Sequence, residues 1–218
     1  MPDTRQRWLE GRLPAIGYDA VVERERVARV MGFLLWGTDT RRLYEHIGRL
    51  GEEPDGSAIL DLPCGGGVAF RGLRPGQQVR YVAADLSPVM LDRARAEAKR
   101  RGLDQIEFHQ ADVEALPYED ASFDLVVTYT SLHCFPDPPA GLKEMARVLR
   151  PGGTLRGTTV VNDTGLRQQG FIRAFRAAGA FGPSGTSDDY RGWLAAAGLV
   201  DVELDRSGAI AYLSARKP

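Results

Sequence analysis

From Ile59 onward, runs of apolar, β-prone residues alternate with stretches of helical periodicity, and that alternation leaves few folds open. AILDL, VRYVAAD, IEFHQAD, FDLVVTYT and TLRGTTVV read as strands, and their alternation with helical patterns is the signature of a parallel sheet covered on both faces. SPVMLDRARAEAKRRG reads as a helix, with Ser87 as N-cap, Pro88 at its first position and Gly102 as its stop. DPPAGLKEMARVLRPGG gives another, its stripe of Leu142, Met145, Ala146 and Leu149 ending at Pro-Gly-Gly. The order is read as βαβαβ throughout. A final pair, VDVEL and AIAYLSA, is placed antiparallel at the sheet edge after two helices, GFIRAFRAAGAF and DDYRGWLAAAGL. The prediction is an α/β fold: a doubly wound, mostly parallel sheet of about seven strands.

Two helices are expected before the sheet, YDAVVERERVARVMGFLLWG and a second one over TDTRRLYEHIGRLG capped by Asp39 or Thr40. They predict a helical lid, with Tyr18, Phe33, Trp36 and Tyr44 either packing or closing over a ligand. At 218 residues and 43% apolar, the chain suits one domain, 1–218, comprising a helical cap (1–51), a core (57–161) and a flank of helices and closing strands (162–218). A net charge of −1 gives no general field for nucleic acid, and basic residues that are nearly all arginine read as a composition bias, so no nucleic-acid partner is expected. The charged N-terminus and the lack of a long apolar run predict a cytoplasmic protein without membrane insertion. Two cysteines, Cys64 and Cys134, fit neither a disulfide framework nor a metal site. No feature speaks to oligomeric state.

The stretch ILDLPCGGGVAF carries the chemistry. In a doubly wound sheet, ligands lie beyond the carboxyl ends of the strands, where the first strand turns toward its helix. Gly65, Gly66 and Gly67 strip side chains from that turn, so backbone N–H groups and a helix N-terminus are expected to meet a ligand. No Gly-Lys-Ser/Thr follows, which excludes a Walker loop, and Phe70 stands where a dinucleotide fingerprint has its last glycine. Asp85 ends the second strand twenty residues after Gly65, where a carboxylate can accept both ribose hydroxyls. Asp112 follows the third strand and can accept from an adenine amine, with Leu86 and Val113 as apolar faces to the ring.

These motifs, in order, resemble the core of the class I S-adenosylmethionine (SAM)-dependent methyltransferases of the ubiquinone/menaquinone-methyltransferase-like kind. DLPCGGG resembles the family's glycine motif, VAADLSPVML its ribose motif, FHQADVEALPYEDASFDLVV its adenine motif, and TYTSLHCFPDPPAGLKEMARVLRPGGTL the stretch after the fourth strand. The resemblance implies a Rossmann-like fold, SAM as cofactor and S-adenosylhomocysteine (SAH) as product; with no RNA-binding or membrane-inserting segment to read, a small organic acceptor is expected, and FLLW and FIRAF tilt it towards an apolar or aromatic one. The resemblance also implies Asp61, Gly65 and Gly67 at the methionine end, Asp85 on the ribose, Leu86, Asp112 and Val113 around adenine, and backbone near Thr128 on the methionine ammonium. Pro63 replaces the family's first glycine and brings no N–H to the cofactor turn.

His133, just past the fourth strand, is a candidate general base or a loop-shaping hydrogen-bond partner; Tyr129 is a candidate contact for cofactor or substrate, or a packing residue. His46 and His109 read as structural. Two other functions stay open: a relative that binds SAM or SAH without methyl transfer, and a nicotinamide-dependent oxidoreductase, which Phe70 and Asp112 disfavour.

Overall fold

The computed structural model describes residues 29–218. Seven strands form one sheet in the order β3-β2-β1-β4-β5-β7-β6. β1 (Ala58–Asp61), β2 (Arg80–Asp85), β3 (Ile106–Gln110), β4 (Phe123–Tyr129) and β5 (Leu149–Val160) are parallel, while β7 (Ile210–Arg216) pairs antiparallel with both β5 and β6 (Val200–Ser207). The chain enters at the centre, winds outward to β3, then returns to β4. The switch point therefore lies between β1 and β4, where Asp61 pairs with Val127.

Alternate residues along each strand feed opposite layers. Ile59, Leu125 and Val127 face a core shared with Leu43, Ile47, Phe70 and Tyr81; Leu60 and Val126 face another built on Leu142, Met145, Tyr190 and Leu194. The first layer is carried by α1 (Arg41–Gly48) and α2 (Pro88–Arg101), together with Ile172 of α4 (Leu166–Ala177); the second by α3 (Pro138–Val148) and α5 (Ser187–Ala196). Both cores sit in contact with the sheet, which explains why β1 is buried end to end and β4 nearly so.

Several boundaries differ from expectation. The β1–β2 crossover holds a single 3-10 turn, Val68–Gly72, and β3 reaches β4 through a loop, so the order is not βαβαβ throughout. Only twelve residues, 68–79, lie between Gly67 and β2, and Arg74-Pro75-Gly76 stops any helix after one turn. Phe70 substitutes for that missing helix: its ring is fully buried, edge-on to Tyr81 and Phe108 at 5.9 and 6.2 Å. The Pro-Gly-Gly after α3 is absorbed into β5 as an irregularity, the register stepping from Phe123↔Leu149 to Leu125↔Thr154. α4 starts four residues before the expected GFIRAF, and α5 begins with a capping box between Thr186 and Asp189.

Ser87 occupies the N-cap of α2 without a side-chain cap bond, and its backbone N–H donates to Asp85 instead. Ahead of the sheet, Gly32–Trp36 forms a π-helical turn ended by Gly37. Thr40 takes the N-cap position of α1, but it is the Asp39 carboxylate that accepts the Arg41 N–H, at 3.0 Å. Most of the first expected helix, with Tyr18, lies outside the described residues.

Candidate active site

Beyond the ends of β1, β2 and β4 opens a cleft of about 1290 Å³, including its mouth to solvent. Parallel pairing fixes its floor: Asp61 stands beside Ala83, and Asp85 beside Gln110, so all these strands end at one edge. Asp85 is 5% exposed. Its Oδ2 accepts from the Gly65 N–H at 2.9 Å and its Oδ1 from the Ser87 N–H at 2.8 Å, which locks the carboxylate in place. Each carboxylate oxygen has two lone-pair sites, so both can still accept from a diol. Asp112 lies across the cleft, its Oδ1 taking the Glu114 N–H at 3.0 Å. Leu86 and Val113 line the space between them, joined by Met90 from the first turn of α2.

The glycine turn works differently from expectation. Gly65 and Gly67 hold φ of 52° and 89°, backbone that side-chain-bearing residues avoid. Yet the Gly65 N–H serves Asp85 and the Gly67 N–H serves the Cys64 carbonyl, so these two donors are spent inside the protein. A Cβ on Gly67 would lie 2.5 Å from the Phe70 ring; that glycine makes room for the core and does not line the cleft. The 3-10 turn that follows is too short to present a helix N-terminus. Pro63, Gly65 and Gly66 do line the cleft, and the peptide before Pro63 is cis.

Two further expected cofactor residues stay beneath the surface. Thr128 is fully buried on β4, its hydroxyl bonded to that of Ser131, and it is Ser131 that reaches the cleft. Asp61 is 1% exposed and accepts from the Tyr81 hydroxyl at 2.9 Å. Burial pushes its carboxyl up to about 8, with the Asp85 charge adding to the rise and Tyr81 opposing it. Asp61 is thus a protonated group under the floor at neutral pH, and burial and the neighbouring Asp61 also keep the Tyr81 phenol protonated.

The other end of the cleft is aromatic. Phe175 of α4 and Phe181 from the loop after it stack with centroids 5.1 Å apart and planes 18° from parallel, and buried Trp36 backs them at 5.8 and 6.0 Å. Phe33, expected beside Trp36, is 65% exposed, and Tyr44 instead lies under the Arg71 guanidinium. Tyr129 lines this end, with its phenol pushed well up by burial and its hydroxyl 3.5 Å from the His46 carbonyl. Cys134 is pushed up to about 12 by the same cause. His133 lines the cleft at 3% exposure; burial drives its imidazole down to about 3, and its Nδ1 accepts from the Val160 N–H at 3.2 Å. A ring so placed is neutral at pH 7 and a poor proton acceptor. His109, on β3 and 3.1 Å from the Tyr118 hydroxyl, and His46, on α1, lie away from the cleft lining.

Sequence reasoning missed Met90, Ser131, Phe181 and the supporting Tyr81. Met90 and Tyr81 were indistinguishable from core positions of α2 and β2, whereas Phe181 sits in a loop with no periodicity to flag it. Asp85 and Asp112 are the only charged side chains lining the cleft, with no lysine or arginine among the described residues there. That donor set favours a ligand with hydroxyls, an amine and positive charge over one with phosphates.

Comparison with known proteins places this geometry. Residues 60–156 match the model of a family described as a methyltransferase domain. The chain is 43% identical over 98 residues to the demethylmenaquinone methyltransferase of Deinococcus radiodurans, covering 44% of this chain and 40% of that one. It is 35% identical over 117 residues to the 27-O-demethylrifamycin SV methyltransferase of Amycolatopsis mediterranei, covering 53% and 43%. The matched stretch is thus less than half the length of these curated relatives. In fold, it resembles a solved phosphoethanolamine N-methyltransferase 2 from Haemonchus contortus, in complex with phosphomonomethylethanolamine and S-adenosylhomocysteine, at a TM-score of 0.76 and 16% identity over 100% of this chain and 61% of that one. Over residues 60–156, these matches support the resemblance to the class I SAM-dependent methyltransferases.

Proposed function

We propose that this protein transfers a methyl group from SAM to a small, apolar or aromatic acceptor. The observation that carries the reading is the pair Asp85 and Asp112, set at the ends of adjacent strands on either side of Leu86, Met90 and Val113, with the glycine turn alongside. Asp85 would hold the ribose hydroxyls, Asp112 the adenine amine, and the three apolar side chains the ring. Pro63, Gly65 and Gly66 would border the methionine portion, with Asp61 beneath them. When bound, SAM supplies a methyl already activated by its sulfonium.

The chain's own task is then to orient an acceptor and exclude water. Phe175 and Phe181, backed by Trp36, give a flat apolar wall for that purpose. Trp36 makes the segment ahead of β1 part of this wall, in keeping with a cap over the acceptor. Tyr129, His133 and Cys134 hold their ionisation states far from neutrality, so the described residues at this end offer no base at pH 7. The acceptor is therefore one that attacks as an amine, a thiolate or an already ionised oxygen or carbon. A single cytoplasmic domain acting on a metabolite fits this reading; among the described residues, no helix is long and apolar enough to cross a membrane.

Calorimetry with SAM, SAH and NAD tests the cofactor assignment. SAM and SAH should bind with micromolar affinity or better and NAD should not; tighter NAD binding would overturn the reading in favour of an oxidoreductase.

A further inference from the structure

His133 has one ring nitrogen accounted for and one not. It lies in the 3-10 turn Leu132–Cys134 directly after β4, clamped between β5 and the loop that follows α4. The Phe181 ring packs against it, centroids 4.3 Å apart and planes 68° apart, and the Gly182 N–H donates to the His133 carbonyl at 2.9 Å. On the β5 side, Nδ1 accepts from the Val160 N–H at 3.2 Å, with the Thr159 hydroxyl 3.4 Å away. A backbone amide can only donate, so Nδ1 must present its lone pair, and the proton of the neutral ring is on Nε2. Nε2 lies across Cε1 from β5. It has no hydrogen-bond partner among the described residues and is not one of the buried polar atoms sealed off from contact. Since the ring lines the cleft, that N–H opens onto the acceptor end, beside Phe181.

Resting on the methyltransferase reading, we propose that His133 is a binding group for the acceptor: its Nε2–H donates to an acceptor oxygen, and the acceptor is a flat ring carrying such an oxygen. The fixed donor sets a polar point among aromatic side chains, so a ligand that displaces water there must supply an oxygen or leave the N–H unpaired at a cost. Its neutrality at physiological pH, caused by burial, keeps the donor in place across the working range. The stacked Phe175 and Phe181 suit the flat face of a ring. No lysine or arginine among the described residues lines the cleft, so a phosphate or carboxylate on the acceptor would find no ionic partner there.

Two readouts independent of turnover test this. In protein carrying ¹⁵N-labelled histidine, the ring resonance lost in His133→Phe should show the Nε2–H tautomer, unchanged from pH 6 to 8. A Nδ1–H tautomer or an imidazolium in that range would overturn the proposal. Then, on SAH-loaded protein, 2-acetylnaphthalene, whose carbonyl can only accept, should shift the His133 resonance and bind at least fivefold more tightly than the shape-matched 2-ethylnaphthalene. In His133→Phe the preference should fall below twofold. Equal binding of the two probes, binding of neither, or an undiminished preference in the variant would overturn it. Should the variant not fold, the wild-type tautomer and probe shift still decide. SAH affinity, measured separately, reports on the cofactor reading, so the two claims fail independently.

Discussion

The two ends of the cleft are held in place by different means. At the cofactor end, the groups sit on strand termini whose positions are fixed by parallel pairing, and Asp85 is tied by two backbone N–H groups. At the acceptor end, the wall comes from α4, the loop behind it and a π-helical turn ahead of the sheet, and its order rests on aromatic stacking. Backbone pairing fixes a site to fractions of an ångström, while side-chain stacking leaves room for ligands of different shapes. The first end is suited to one invariant cofactor, the second to an acceptor particular to this chain.

Substitutions can break that contrast, beginning where the effect should be greatest. Asp85→Ala removes the proposed ribose acceptor and takes from the Gly65 and Ser87 N–H groups the carboxylate they donate to. It should weaken SAH binding by about 3 kcal/mol, on the order of a hundredfold, and Asp85→Asn by about 1.5–3 kcal/mol. Isothermal calorimetry on folded variants measures both, and an unchanged affinity would remove Asp85 from the cofactor site.

Trp36→Ala should act on the other end. Trp36 is 6% exposed, and losing it should cost about 3 kcal/mol of stability in urea denaturation. SAH affinity should stay within twofold while binding of aromatic probes weakens several-fold. A large loss of SAH affinity would show that the two ends are not separable.

A pH-dependent effect concerns the floor they share. Asp61 has a folded-state value of about 8, well above that of an unfolded carboxyl near 3.9. Between those values the folded state keeps a proton that the unfolded chain has lost, so stability falls as pH rises from about 4 to about 8. Asp61→Asn should flatten that slope in denaturation series across this window; an unaltered slope would assign the effect to other groups. Least of all, Cys134, with its thiol pushed up to about 12, should react with iodoacetamide at pH 8 far more slowly in native protein than in urea. Equal rates would mean the acceptor end is open and wet.

The contrast also accounts for what could be read from the sequence. Strand ends announce themselves, because an apolar run must stop at a polar residue when the sheet edge meets solvent or ligand; Asp85 and Asp112 were legible for that reason. Asp61 looked the same but lies beneath the floor, since nothing in a sequence says that Tyr81, on the neighbouring strand, will cover it with a hydroxyl. Gly67 read as a ligand contact because glycine marks close approach without naming what approaches, here the Phe70 ring. The fold itself was legible through its periods, except in the β1–β2 crossover, where a dozen residues suit a short helix or a single turn equally well. Phe181 and the tautomer of His133 depend on contacts between segments far apart in the chain, Gly182 with His133 and Val160 with His133, and no local pattern encodes them.

The central claim is methyl transfer, and it is tested most directly by following label from methyl-labelled SAM into a fractionated cell extract, with wild type beside Asp85→Ala. The account predicts label in a small-molecule fraction with wild type and none with the variant. Wild-type protein that binds SAH by calorimetry yet moves no label into any fraction would contradict it.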